Sequence, residues 1–169
     1  MESDLMTTPS LSIANELGRL LTEKKLQLAT AESCTGGMIA SSLCAAENTP
    51  SFYGSGFVTF TDEAKMIMLG VSRETLTAHT AVSEQAVIEM AAGAVRQSQA
   101  HIGIAVSGYA GPDGGEDGTP AGTIWFAWQL ADNSVHTRVK QFTGDSEANI
   151  KEATNYALGR LIRLLAESD

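Results

Sequence analysis

Apolar residues recur at helical spacing between Leu11 and Lys25, where Leu11, Ile13, Ala14, Leu17, Leu20 and Leu21 share one face behind Ser10, a residue suited to cap the helix. An extended run at Gln27–Ala31 predicts a strand, and a helix-favouring stretch follows from about Thr35 to Ala46, broken by Asn48-Thr49-Pro50-Ser51. Gly56–Phe60 reads as a second strand, after which Thr61 or Asp62 caps a short helix ending near Gly70. Ser83 opens a long Ala-rich helix to about Gln99. The run Ile102–Ser107 is apolar throughout, as a central strand covered on both faces must be. A Gly- and Pro-rich loop from Gly108 to Gly122 leads into two strands, Thr123–Leu130 and Val135–Phe142, joined by Asp132-Asn133-Ser134 as a hairpin. Asp145 or Ser146 starts a last helix to about Ala166. Strands alternating with helices, plus one late hairpin, imply an α/β fold: a three-layer α/β/α sandwich on a mixed, mainly parallel sheet. A single domain is expected over residues 10–167, preceded by a loose polar tail at residues 1–9.

Composition narrows the function classes. With 169 residues and 43% hydrophobic content the chain can bury one sizeable core. No window approaches the roughly 18 to 20 consecutive apolar residues of a membrane span, and Met1–Pro9 lacks the basic and apolar regions of a signal peptide. Cys34 and Cys44 are too few for a disulfide scaffold, and no Cys/His spacing resembles a zinc site, so reduced thiols in a cytoplasm are the simplest reading. A formal charge of -9 argues against nucleic-acid and anionic-membrane partners. It leaves room for a small anionic ligand, because backbone amides bind anions locally whatever the net charge.

Three loops are expected at the carboxyl ends of strands, where open α/β sheets bind their ligands. The first, Thr30-Ala31-Glu32-Ser33-Cys34-Thr35-Gly36-Gly37, bunches hydroxyls and a thiol ahead of two glycines at a strand-to-helix junction. Such a turn presents a nucleophile or an anion cradle, or it merely caps a helix. The second, Thr59 to Lys65, carries a lysine that is either a solvated surface charge or a base lowered by partial burial and poised to activate a serine. The third, Ser107-Gly108-Tyr109-Ala110-Gly111-Pro112-Asp113-Gly114-Gly115, offers backbone donors directly after the buried strand. Cys34 competes as a nucleophile if the helix terminus lowers its thiol pKa, and otherwise packs as a small apolar residue. His79, His101 and His136 fall on ordinary positions with no carboxylate–histidine pairing to support a serine. Trp125 and Trp128 sit at odd spacing on one strand and face opposite sides, with core packing the default for both.

These three segments, together with Pro120-Ala121-Gly122-Thr123, resemble the CinA C-terminal domain family from about Leu11 to Leu165. Stand-alone members of that family include nicotinamide mononucleotide amidohydrolases. The resemblance implies a metal- and cofactor-independent deamidase in which Ser33 attacks the substrate carboxamide and Lys65 takes the hydroxyl proton. Backbone amides near Cys34–Gly37 or Gly108–Gly111 would stabilise the oxyanion. Substrate contacts are expected from Glu32, Cys34, Thr35, Gly36, Gly37, Phe60, Ser107, Gly108, Tyr109, Ala110 and Gly111. The family habit also implies a homo-oligomer, to which exposed aromatics of the hairpin would contribute. This chain departs from the family pattern at Phe60, where a Tyr is usual, and at Ser146 and Ile150, where arginines are usual. Two function classes therefore follow: an active amidohydrolase, or a weakened paralogue that binds a nucleotide-like ligand or a protein partner.

Overall fold

The structure, a computed structural model, describes residues 8–168. In chain order the elements are α1 (Thr8–Lys24), β1 (Leu28–Glu32), α2 (Met38–Cys44), β2 (Tyr53–Val58), α3 (Asp62–Leu69), α4 (Arg73–His79), α5 (Glu84–Ser98), β3 (Ile102–Gly108), β4 (Thr123–Gln129), β5 (Val135–Gln141) and α6 (Ser146–Glu167). The strands form one 5-stranded sheet in the order β2-β1-β3-β4-β5. β1 runs parallel to β2 and β3, whereas β4 runs antiparallel to β3 and β5.

Side-chain alternation along the strands divides the core into two layers. Leu28, Ile102, Ile104, Val106, Ile124, Phe126 and Trp128 pack against Leu17 and Leu21 of α1, Ile39 and Leu43 of α2, and Leu158 and Leu161 of α6. The opposite faces of the same strands offer only small residues, Ala29, Ala31, Ala105 and Ala127, to Val87, Met90, Ala91 and Ala94 of α5 and to Leu69 of α3. Small residues on that side let α5 lie close: a Cβ on Gly103 would stand 2.7 Å from the Ala91 carbonyl oxygen. The three-layer α/β/α sandwich with a mixed sheet is thus the observed fold. Trp128 is fully buried, stacks on Phe126 and donates its Nε1–H to the Ala157 carbonyl at 2.9 Å; Trp125 lies partly buried in the other layer.

Several boundaries differ from the sequence reading. α1 already includes Thr8 and Pro9, which were expected in the tail, and the rest of that expected tail lies outside the described residues. Ser10 does not cap a helix start; its hydroxyl donates to Asn155 Oδ1 at 2.6 Å and ties α1 to α6. β2 begins at Tyr53, earlier than the glycines at 54 and 56 suggested. Gly56 is there for close approach: a Cβ would sit 2.2 Å from the Tyr53 hydroxyl and 2.7 Å from Thr30 Oγ1, two atoms hydrogen-bonded to each other at 2.7 Å. The seven-residue α4 was not anticipated; Ser72 caps it by accepting from Thr75 N at 3.0 Å, a signal masked by its brevity. The hairpin aromatics expected on the surface are largely interior. Among the described residues the exposed large apolar ones are instead Val58, Phe60, Ile67 and Met68 around the end of β2 and α3, and Val135 and Val139 on β5.

Candidate active site

β1, β2 and β3 are parallel neighbours, so their carboxyl ends meet along one edge of the sheet. Glu32 pairs with Val106 and with Val58, and beyond these pairs the chain places Ser33, Thr59 and Ser107 side by side. Two backbone bonds fix that junction: Ser33 N donates to the Val106 carbonyl at 3.0 Å, and Thr59 N to the Glu32 carbonyl at 2.8 Å.

The turn after β1 is organised around Glu32, which is fully buried. Its Oε1 accepts from Thr35 Oγ1 at 2.5 Å, Gly37 N at 3.2 Å and Ile39 N at 3.0 Å, and its Oε2 accepts from Ala40 N at 2.9 Å. The internal carboxylate therefore satisfies the orphan amides of α2 and their partial positive charge. Glu32 and the side chain of Thr35 hold the turn together, and the Glu32 carboxyl group occupies the start of α2. α2 also starts at Met38 rather than Thr35, because Gly36 and Gly37 take φ values of 58° and 100°, left-handed backbone that non-glycine residues adopt only with strain. Cys34 consequently gains no helix-terminal activation. Burial, reinforced by the Glu32 charge, pushes its thiol up to about 12, against the thiolate expected of a nucleophile.

α3 delivers the lysine. Thr61 caps the helix by accepting from Ala64 N at 3.1 Å, Gly70 ends it in the left-handed conformation, and Lys65 and Leu69, one turn apart, share its buried face. Lys65 is 1% exposed. Its Nζ lies 3.0 Å from Ser33 Oγ, 2.8 Å from the Thr59 carbonyl oxygen and 3.2 Å from the Phe60 carbonyl oxygen. Desolvation lowers the amine below the ordinary lysine range, and the Asp62 charge opposes this. Ser33 itself is 6% exposed.

Phe60 reaches the site through its carbonyl, while its ring stands 73% exposed. Thr59, the first residue of the second loop, is more intimately placed: it is buried, and its Oγ1 has no hydrogen-bond partner among the described residues.

The third loop comes back onto the same edge. Ser107 is buried at the end of β3, and Tyr109 is half-buried with its ring against Gly115. Tyr109 N donates to the Thr123 carbonyl at 2.9 Å, and Gly122 N returns a bond to the Tyr109 carbonyl, which closes the loop's base. The phenol is raised by desolvation and by the charges of Asp117, Asp62 and Glu116. Asn149, unremarked in the sequence, anchors the loop to α6: its Nδ2 donates to the Ala110 carbonyl at 2.9 Å and the Gly144 carbonyl at 3.0 Å, and its Oδ1 accepts from Gly144 N at 3.0 Å. Ala110 is buried by this arrangement and offers its carbonyl inward. Ser146 lies next to Gly111, with its Cβ 3.9 Å from where a Gly111 side chain would begin.

Comparison with known proteins agrees in fold and family. The model of the CinA C-terminal domain matches residues 10–165. Protein YdeJ of Escherichia coli is 52% identical over 154 residues, covering 91% of this chain and 89% of its own. Nicotinamide-nucleotide amidohydrolase PncC of the same organism is 42% identical over 151 residues, covering 89% of this chain and 92% of its own. The crystal structure of a competence-damaged protein (CinA) superfamily protein from Klebsiella pneumoniae superposes with a TM-score of 0.91 at 48% identity, covering 94% of this chain and 98% of that one.

Proposed function

The chain belongs to the CinA C-terminal domain family, and from that premise we propose that it hydrolyses the carboxamide of a nicotinamide nucleotide, with Ser33 as nucleophile and Lys65 as base. The observation that carries this reading is the environment of Lys65 Nζ. Two backbone carbonyls, of Thr59 and Phe60, each require an N–H donor, and the third neighbour is the Ser33 hydroxyl. A neutral amine supplies two donors to the carbonyls and turns its lone pair to the serine proton. Burial favours that neutral form.

In the reaction the Ser33 oxygen adds to the carboxamide carbon as its proton passes to Lys65 Nζ. The carbon–nitrogen bond of the tetrahedral intermediate then breaks, the Lys65 proton goes to the departing nitrogen, and ammonia leaves. Water, deprotonated by the neutral Lys65, hydrolyses the Ser33 ester to the carboxylate and restores both groups. Gly37 N is taken by Glu32, Gly36 N by the Ser33 carbonyl and Tyr109 N by the Thr123 carbonyl, so oxyanion stabilisation falls to the Cys34–Thr35 end of the turn and the remaining amides of the facing Gly108–Gly111 backbone. Thr59 Oγ1, buried without a partner beside the lysine, supplies a further donor at the base of the site. No metal or cofactor enters this scheme, and the substrate is a small nucleotide.

The test is ammonia release from nicotinamide mononucleotide by the purified chain and by Ser33→Ala. Loss of at least about 10³-fold in the variant supports the assignment, whereas equal rates sink it.

A second reading, binding with little turnover, is favoured by one observation: the positions in the first turns of α6 where the family usually carries arginines hold Ser146 and Ile150, which removes cationic partners for a substrate phosphate. If that loss matters, Ser146→Arg with Ile150→Arg lowers KM for the nucleotide. The exposed ring of Phe60 argues that Phe60→Tyr alone changes the Ser33–Lys65 pair little. We further propose that the chain assembles as a homo-oligomer through the apolar surface of Val58, Phe60, Ile67 and Met68.

A further inference from the structure

A second concave site lies on the other side of the sheet's midline from β2. Antiparallel pairing sets Arg138 opposite Phe126 and Lys140 opposite Ile124, and since Phe126 and Ile124 point toward α6, so do Arg138 and Lys140. α6 answers with Tyr156, Gly159, Arg160 and Arg163, spaced so that they share one stripe of the helix. These four residues, with Arg138 and Asn155, line a cavity of about 480 Å³, a size that holds a small ligand. No carboxylate lines it, in a chain with 20 acidic residues and only 11 lysines and arginines. None of the three guanidiniums is ion-paired to a carboxylate among the described residues. Arg138 makes one bond, from Nη1 to the Thr137 carbonyl at 2.8 Å, and Lys140 sits 4.9 Å over the Tyr156 ring. The Nε of Arg160 is buried and has no hydrogen-bond partner among the described residues.

Three guanidiniums lining one cavity, with no carboxylate among its lining residues, are an arrangement that a polyanion would complete. Gly159 leaves the floor open, since a Cβ there would meet nothing within 4 Å. We propose that this cavity between β5 and α6 binds a small molecule bearing at least two phosphate charges, held by the guanidiniums of Arg138, Arg160 and Arg163. Arginine suits the role because its planar fork grips two phosphate oxygens at once. The site is separate from the Ser33–Lys65 pair, and the inference does not depend on the amidohydrolase reading.

Calorimetric titration of the full chain with pyrophosphate tests it. The expected result is saturable one-to-one binding that weakens with added salt and is weakened at least about tenfold by Arg163→Gln and by Arg160→Gln, while Arg73→Gln on α4 leaves it unchanged. Should Arg160→Gln fail to fold, the exposed Arg163 and Arg138 carry the test. Parallel titrations with orthophosphate and adenosine diphosphate separate the sources: preference for the nucleotide points to a base resting near Tyr156, and preference for pyrophosphate to an inorganic polyphosphate. No binding, or binding equal in wild type and in the cavity variants, overturns the proposal. So does self-association that Arg163→Gln abolishes without any pyrophosphate binding, which would assign the cavity to an acidic surface of a second copy.

Discussion

At the scale of single residues, Glu32 and Lys65 are two buried charged groups with opposite solutions. Glu32 collects four donors and needs no counter-ion. Replacing it by Gln substitutes donors where only acceptors fit, and is expected to destabilise the fold by about 2–4 kcal/mol in chemical denaturation. Thr35→Val, which removes one neutral-to-charged bond, should cost about 1–2 kcal/mol and less than Glu32→Gln; the reverse order would contradict the central place given to the carboxylate. Lys65 instead sits among two backbone carbonyls and the Ser33 hydroxyl, where burial disfavours its charge. Its folded pKa is lowered, so between that value and the unfolded one the unfolded chain binds more protons, and stability rises with pH across that window. Lys65→Met should flatten this rise while leaving the chain folded, as measured by thermal melts at several pH values. The segment 30–37 was legible as a junction, yet its division of labour was not. Periodicity and spacing cannot say that Glu32 turns inward to cap α2 while Ser33 turns toward α3, since that follows from the last residue of β1 and the first residue beyond it meeting two different helices.

Among the elements, the long ones were readable because their patterns are strong. The unbroken apolar run of β3 identified the central strand, and Ser83 and Thr61 announced the starts of α5 and α3 by the caps they make. α4 and the start of β2 were missed where a seven-residue helix and a Gly-rich strand depend on tertiary contacts. Asn149 shows how such contacts build the site: one buried amide joins the start of α6 to the third loop through three bonds. Asn149→Ala should therefore loosen residues 108–122 as well as the helix start. A loss of about 2–4 kcal/mol and cleavage by trace protease within that loop are expected; unchanged protease resistance would mean the loop is held by other contacts.

For the whole molecule, the sheet order brings three strand ends into register, and one face of small residues lets α5 and α3 approach closely enough for Lys65 to reach Ser33. The fold class was recoverable from alternating patterns, whereas the surfaces were not. Aromatics that looked exposed lie inside, and the apolar patch left in solvent surrounds Val58, Phe60, Ile67 and Met68. If that patch is the assembly surface, Ile67→Glu should convert an oligomer to a monomer in light scattering at micromolar concentration; an unchanged mass would place the interface elsewhere.

The most direct test of the Ser33–Lys65 chemistry is the pH dependence of ammonia release from nicotinamide mononucleotide. The account predicts that kcat/KM climbs with pH as Lys65 loses its proton and levels off below the ordinary lysine range, and that Lys65→Met removes both the climb and the activity. A rate that is flat across this range in the wild type, or unchanged in Lys65→Met, would contradict it.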